Sequence, residues 1–292
     1  MNERPLVFRC VGSELVGVLN IPDQSQRVGV VIVVGGPQYR AGSHRQFVSL
    51  ARALGAGGFV CLRFDYRGMG DSAAPPRSFE SVDDDIRAAI DALLGAVPDL
   101  DGVVLWGLCD GASAAFIYAP TDPRVSGVIA LNPWVRTEAS LAAARLNHYY
   151  KGQVLSLSFW KRVLAGDVAI GRSLAGLAGA LKKRLAKTDT QTAAPASRSY
   201  IERMGEGWRR MQGRSLVVLS GNDLTAREFA DFCRARAAWR EATRPGHNFV
   251  EIPDADHTFS RREWKHAVEQ VTLDWLRRQP TSSQATEHQR SA

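Results

Sequence analysis

Short apolar runs rich in β-branched residues recur along the chain, and several of the stretches between them carry apolar positions at helical spacing. Leu6–Cys10 and Leu15–Leu19, with Gly12-Ser13 between them, predict a β-hairpin at a sheet edge. Gly29–Val34 is unbroken valine and isoleucine after its glycine, the pattern of a strand covered on both faces. Phe47–Leu54 has helical spacing, Phe59–Phe64 reads as the next strand, and Val82–Leu94 as a helix with Ile86, Ile90 and Leu93-Leu94 on its apolar face. Val103–Trp106 and Val125–Leu131 are further strands. Strands alternating with helices form βαβ units, so the predicted class is α/β, with a mostly parallel central sheet and helices on both faces.

The alternation fails between residues 136 and 214. That segment reads as helical, with Leu174, Leu177, Leu181 and Leu185 along one stripe, and it is too long for a single crossover. The sheet pattern returns at Ser215–Ser220 and Phe249–Ile252 and closes with a helix from about Arg262 to Leu276. The expected organisation is one core domain made of 1–135 and 215–279, a helical lid inserted at 136–214, and a disordered polar tail at 280–292.

Composition narrows the setting. With 45% hydrophobic and 23% charged residues, the chain is ordinary for a globular protein. Cys10, Cys61, Cys109 and Cys233 are scattered, without Cys-x-x-Cys spacing or a cysteine-histidine cluster, so neither a metal site nor a disulfide framework is expected. Such usage suits a reducing cytoplasm. The first residues lack the basic-then-apolar pattern of a leader, and no run of about 18 apolar residues occurs, so a cytoplasmic, non-spanning protein is expected.

The chemistry concentrates in Leu105-Trp106-Gly107-Leu108-Cys109-Asp110-Gly111-Ala112, where an apolar strand runs into a small-residue helix. In its usual form, Gly-x-Ser-x-Gly, this pattern is a nucleophile elbow, a sharp strand-to-helix turn that presents the nucleophile at the top of a sheet. Cys109 stands where serine is usual. The attacking species is then a thiolate, which a helix N-terminus and a paired histidine would both favour. A buried, unreactive cysteine is the competing reading of the pentapeptide alone.

Two later segments complete a constellation. Ser220-Gly221-Asn222-Asp223 leaves one strand and Asp254-Ala255-Asp256-His257 leaves the last, so Cys109, Asp223 and His257 appear in the chain order nucleophile, acid, histidine of the α/β-hydrolase fold. Each lies at a strand's carboxyl end, where ligands bind in open α/β sheets. His257 would exchange a proton with Cys109, and Asp223 would orient the imidazole.

Acyl transfer also needs two donors aimed at an oxyanion. The first expected is the N–H of Asp110, next after the nucleophile. The second is Gly36 in Gly35-Gly36-Pro37-Gln38, with Gln38 as the fallback because Pro37 has no N–H. A carboxylate at position 110 suits this site only if it points away or pairs with Arg40 or Arg45, and otherwise it serves as a charge at a helix start. His44, Arg40 and Arg45 are candidate substrate contacts, although Ser43 and His44 also fit a helix start.

Gly68-Met69-Gly70-Asp71-Ser72-Ala73 matches a dinucleotide fingerprint, but Pro75-Pro76 forbids the helix that fingerprint requires. No Gly-x-x-x-x-Gly-Lys phosphate loop occurs either, so no cofactor is expected.

Four stretches together carry a family resemblance: Val34–Phe47 around Gly-Gly-Pro-Gln, Arg63–Ser72, the Trp-Gly-Leu-Cys-Asp-Gly elbow, and Leu131-Asn132-Pro133-Trp134-Val135-Arg136. The chain resembles the exosortase A system-associated hydrolases of type 1, a branch of the α/β-hydrolase superfamily, over roughly residues 5 to 278. The resemblance implies a bacterial cytoplasmic hydrolase linked to exopolysaccharide and protein-sorting systems, with catalytic roles at Cys109, Asp223 and His257. The departure from the superfamily's usual His-Gly to Val34-Gly35-Gly36 leaves the second oxyanion donor open between Gly36 and Gln38. An elbow cysteine is shared with dienelactone hydrolase, from which the long insertion sets this chain apart.

Charge bears on the substrate. Residues 145–214 hold 14 Lys and Arg against 4 Asp and Glu in a chain whose net charge is +7, so the remainder is slightly acidic. Lys182-Lys183-Arg184 and Lys187 fit a solvated helix end, and alternatively an anionic acyl substrate or a peripheral contact with lipid headgroups. No stacking or groove-reading motif accompanies them, which argues against nucleic acid. The expected activity is hydrolysis of an ester, lactone or thioester, on a small-molecule or a lipid- or glycan-linked acyl substrate, through an acyl-cysteine. An acyltransferase using the same site, or a non-catalytic lipid- or glycan-binding protein of this fold, are the alternatives.

Overall fold

The computed structural model describes residues 2–136, 198–211, 214–242 and 248–278. Antiparallel β1 (Asn2–Cys10) and β2 (Ser13–Ile21) open the chain, joined by a tight turn in which Val11 and Gly12 both take positive φ, 45° and 79°. Then follow β3 (Val28–Val33), α1 (Gln46–Ala56), β4 (Cys61–Phe64), α2 (Asp83–Ala96), β5 (Gly102–Leu108), α3 (Asp110–Tyr118) and β6 (Val125–Leu131). After the inserted segment come α4 (Tyr200–Arg210), β7 (Ser215–Ser220), α5 (Leu224–Ala235), α6 (Ala237–Ala242), β8 (Asn248–Ile252) and α7 (Arg262–Arg277).

One eight-stranded sheet has the order β1-β2-β4-β3-β5-β6-β7-β8. β1–β2 and β2–β4 pair antiparallel, and every other neighbouring pair is parallel. The hairpin forms the edge, as its alternation implied, and is longer than the apolar runs because its register continues through polar residues from Cys10↔Ser13 to Asn2↔Ile21. All residues of β4, β5 and β7 are buried, which is why these strands read as apolar runs without alternation. Chain order reverses between β3 and β5, a switch point of the kind that leaves a crevice at the strands' carboxyl ends.

Helices cover both faces. Three aspartates, Asp83, Asp84 and Asp85, open α2, complementing the positive end of its dipole. Phe47 of α1 meets Trp106 of β5 edge to face at 5.7 Å. Behind β4, Arg67 and Asp85 form a buried pair, Nη2 to Oδ2 2.7 Å, that ties the strand's exit to α2. The Gly68–Ala73 segment is a turn: Gly68 and Gly70 take φ of 79° and 49°, and Asp65 accepts the backbone N–H groups of Arg40 at 2.6 Å and Asp71 at 3.1 Å.

Helix α4, which falls within the segment expected as a lid, groups with the sheet domain. Helix α4 starts at a capping box on Ser199 and Glu202, and Met204 and Trp208 on it are fully buried. Trp208 packs on Phe116 of α3 at 5.4 Å and Phe229 of α5 at 5.8 Å, and its indole N–H donates to Ser215 Oγ at 3.0 Å. The described residues from Ser199 onward group with the sheet domain. The remainder of the expected lid, 137–197, and the expected tail, 280–292, lie outside the described residues. Among the described residues no helix is long and apolar enough to cross a membrane.

Candidate active site

The turn from β5 into α3 is tight in the manner an elbow requires. Cys109 has φ 60° and ψ −124°, a conformation that a non-glycine residue holds only under surrounding constraint. The constraint is visible in its partners: the Cys109 N–H donates to the Leu131 carbonyl at 2.9 Å, and its own carbonyl accepts from Ala112 N at 3.1 Å and Trp134 N at 3.3 Å. Gly107 permits the turn, because a Cβ there would lie 2.5 Å from the backbone of Gly111. The Cys109 side chain is half-buried, whereas Cys10, Cys61 and Cys233 are buried.

Asp223 and His257 converge on this turn. Asp223 ends the loop after β7 and caps α5, accepting the Ala226 N–H at 3.0 Å. The same oxygen, Oδ2, lies 2.8 Å from His257 Nδ1. Hydrogen bonds to Asp223 and then to the Cys109 sulfur push His257 up to about 10, over the opposing effect of burial. Burial opposes ionisation of Asp223, but the hydrogen bonds from His257 and the α5 backbone hold its carboxyl below the ordinary range. Carboxylate, imidazole and sulfur therefore form one hydrogen-bonded file. The neighbouring Asp256 serves its own loop, accepting the N–H of Ser260 at 2.9 Å and of Thr258 at 3.2 Å.

Asn132, part of the Leu131–Arg136 motif but without an expected role, is a supporting residue. It is fully buried at the end of β6 with φ 44°, and its amide donates to Ser220 Oγ at 2.8 Å and to the His257 carbonyl at 3.0 Å. Its Oδ1 accepts the Ser220 N–H at 2.8 Å. One side chain thus links the ends of β6 and β7 to the histidine loop. Its signal was a polar residue closing an apolar run, just before Pro133.

The oxyanion side differs from expectation. Gly36, with φ 61°, directs its N–H at Asp110 Oδ1, 2.5 Å away. Burial raises the Asp110 carboxyl above its ordinary range, against the pull of the Gly36, Gly111 and Asp110 backbone N–H groups. The Gly36 donor thus already has this carboxylate as its partner. The fallback, Gln38, uses its side-chain oxygen to tie the loop to Ser43 N and Gln46 Nε2, both at 3.2 Å.

Arg40 is not the counter-charge to Asp110, because its guanidinium pairs with Asp65 and Asp71. Ser43–Arg45 form a short 3-10 turn before α1, in which His44 and Arg45 are exposed and take φ of 52° and 58°. The His44 carbonyl accepts from Lys265 Nζ at 3.4 Å. Among the described residues no group of three or more His, Cys, Asp or Glu is placed to hold a metal ion.

A parallel sheet reversing at β3 and β5, with chemistry-bearing residues on the loops beyond β5, β7 and β8, is the layout of the α/β hydrolases. The sequence profile of the Alpha/beta hydrolase family matches residues 30–271, and the chain belongs to that family. A curated relative, the quorum-quenching protein AidA of Acinetobacter baumannii, is 33% identical over 94 residues, 30% of this chain and 31% of that protein. The chain therefore matches about a third of that relative's length. Among solved structures, an esterase of Pyrococcus furiosus superposes with a TM-score of 0.60 at 15% identity, over 95% of this chain and 92% of that one. A lidless α/β serine hydrolase of Xanthomonas campestris gives 0.58 at 17%, over 97% of each chain. Dienelactone hydrolase of Anabaena variabilis gives 0.58 at 15%, over 94% of this chain and 96% of that one. These likenesses establish the shared fold.

Proposed function

We propose that this α/β hydrolase cleaves an ester, lactone or thioester through a covalent acyl-cysteine formed on Cys109. The observation that carries the reading is the file Asp223–His257–Cys109, with His257 hydrogen-bonded on one side to a carboxylate and on the other to a sulfur held at a strained turn. With His257 pushed up to about 10, the imidazole is a cation at neutral pH and lies beside the sulfur that attacks. The sulfur attacks the carbonyl carbon, and the C=O electron pair moves onto oxygen. When the tetrahedral species collapses, the bond to the leaving alkoxide or thiolate breaks and His257 gives that group its proton. His257 then takes a proton from water, which attacks the acyl carbon and returns the sulfur as leaving group. Asp223 keeps the imidazole oriented and balances its charge throughout.

The motifs shared with exosortase-associated hydrolases support a saccharide- or lipid-linked acyl substrate, and the excess of cations at 145–214 supports an anionic one. The test is intact-mass analysis after brief iodoacetamide exposure between pH 5 and 9, then after exposure to p-nitrophenyl acetate. A single adduct is expected with each reagent, absent in Cys109→Ala and moved to higher pH in His257→Ala. Equal labelling of wild type and Cys109→Ala would end the reading.

A further inference from the structure

The unusual feature of this site is what fills it. The Gly36 N–H donates to the Asp110 carboxylate where the loop after β3 meets the start of α3. Gly36 is one of the donors that acyl transfer directs at the oxyanion. Its partner is the Asp110 side chain, one residue from the nucleophile. The approach is close: a Cβ at Gly35 would lie 2.2 Å from the Leu108 carbonyl oxygen and 2.5 Å from Asp110 Oδ1, so glycine lets the loop close on the elbow and its carboxylate. The titratable groups facing Asp110 are His257, whose charge attracts it, and buried Tyr66, whose own ionisation its charge opposes.

An oxyanion cannot use the Gly36 N–H while the carboxylate holds it, and two negative oxygens in one cradle repel. Resting on the acyl-cysteine reading, we propose that Asp110 is a built-in occupant of the oxyanion seat, a positioning residue that keeps Gly36 aligned in the empty enzyme and must release it before Cys109 is acylated. The side chain stands in for the charge the transition state will carry. It preserves the geometry of the donor while slowing reaction with any carbonyl too poorly bound to displace it. Well-bound substrates are favoured over small activated esters for that reason.

The test separates the seat from the sulfur. Stopped-flow measurement of the p-nitrophenolate burst from p-nitrophenyl acetate reports acylation, which builds an oxyanion. Iodoacetamide alkylation of Cys109 at the same pH attacks a saturated carbon and builds none. The ratio of the two rate constants cancels any change in thiolate population and isolates the oxyanion seat. In Asp110→Asn, which keeps the side-chain shape but not the charge, and in Asp110→Ala, the ratio is expected to rise about tenfold or more, a modest fraction of what a full oxyanion donor contributes. A ratio that stays level or falls in both variants overturns the proposal, since Asp110 then only braces the loop or tunes the thiol. Failure of the underlying reading looks different: a burst that survives Cys109→Ala removes the acyl-cysteine and this inference with it.

Discussion

The side-chain amide of Asn132 donates to the backbone carbonyl of His257 at 3.0 Å, so the loop carrying the imidazole is anchored to the end of β6 rather than left to its own turn. The same amide group reaches Ser220 through both its nitrogen and its oxygen. Imidazole and carboxylate thus hang from strand ends that a third side chain holds in register. Precision at the sulfur depends on a residue that never touches it.

Asn132→Ala is accordingly expected to lower kcat on an activated ester by about tenfold or more, as loss of alignment does. Its KM should change little. Stability should fall by roughly 1–3 kcal/mol, because the buried Ser220 N–H loses its partner. Urea unfolding and steady-state kinetics measure the two effects, and an unchanged kcat would show that His257 is placed without this anchor.

The Asp223–His257 contact should appear as a pH-dependent share of stability. His257 sits near 10 in the folded protein against an ordinary value of 6.5, so the contribution is complete below about 6.5 and is lost as pH rises through 10. Asp223→Asn removes the carboxylate that does most to hold His257 protonated. The Tm difference between wild type and Asp223→Asn should be largest near pH 6 and shrink steadily towards pH 10. A difference that grows with pH would contradict the assignment.

Thiol chemistry should divide the four cysteines unevenly. Burial pushes Cys10 up to about 11 and Cys61 and Cys233 up to about 12, while Cys109 alone is partly open to solvent. A disulfide reagent at neutral pH should therefore consume one thiol rapidly in the native protein and four after unfolding. Two or more fast thiols in the native state would count against the packing described for the core.

The elbow should tolerate no added carbon. Gly107→Ala places a Cβ 2.5 Å from the Gly111 backbone, and neither element can move without shifting the sheet. The expected loss is about 3 kcal/mol, the upper end of ordinary overpacking. Thermal unfolding followed by circular dichroism would show it, and a Tm within a degree or two of wild type would mean that the turn is looser than its geometry implies.

Much of this architecture was legible in advance because burial writes itself into composition. β5, β6 and β7 have almost no exposed positions, so their runs of valine, leucine and isoleucine stood out. The elbow could be read from its glycines, and Asp223 and His257 from their places after strands. Helix α4 could not be placed, because an amphipathic stripe shows that a helix buries one face without saying against what. Met204 and Trp208 would look the same under a lid or on the sheet domain. The partner of Asp110 was illegible for a related reason. A carboxylate suggests a cation, and Arg40 is a candidate, but the partner found is the Gly36 backbone N–H, which only the fold brings to it.

The positive φ of Cys109 has a consequence for how such enzymes diversify. The place of the Cys109 sulfur is fixed by backbone bonds to Leu131, Ala112 and Trp134, none of which involves the sulfur itself. Exchanging that atom for oxygen would leave its position intact and change mainly where the proton rests, on imidazole beside a thiolate or on the hydroxyl beside a neutral ring. Thiol and alcohol versions of the chemistry are then one substitution apart on a single scaffold. What separates them is the surrounding charge, and here that charge includes a carboxylate on the very next residue.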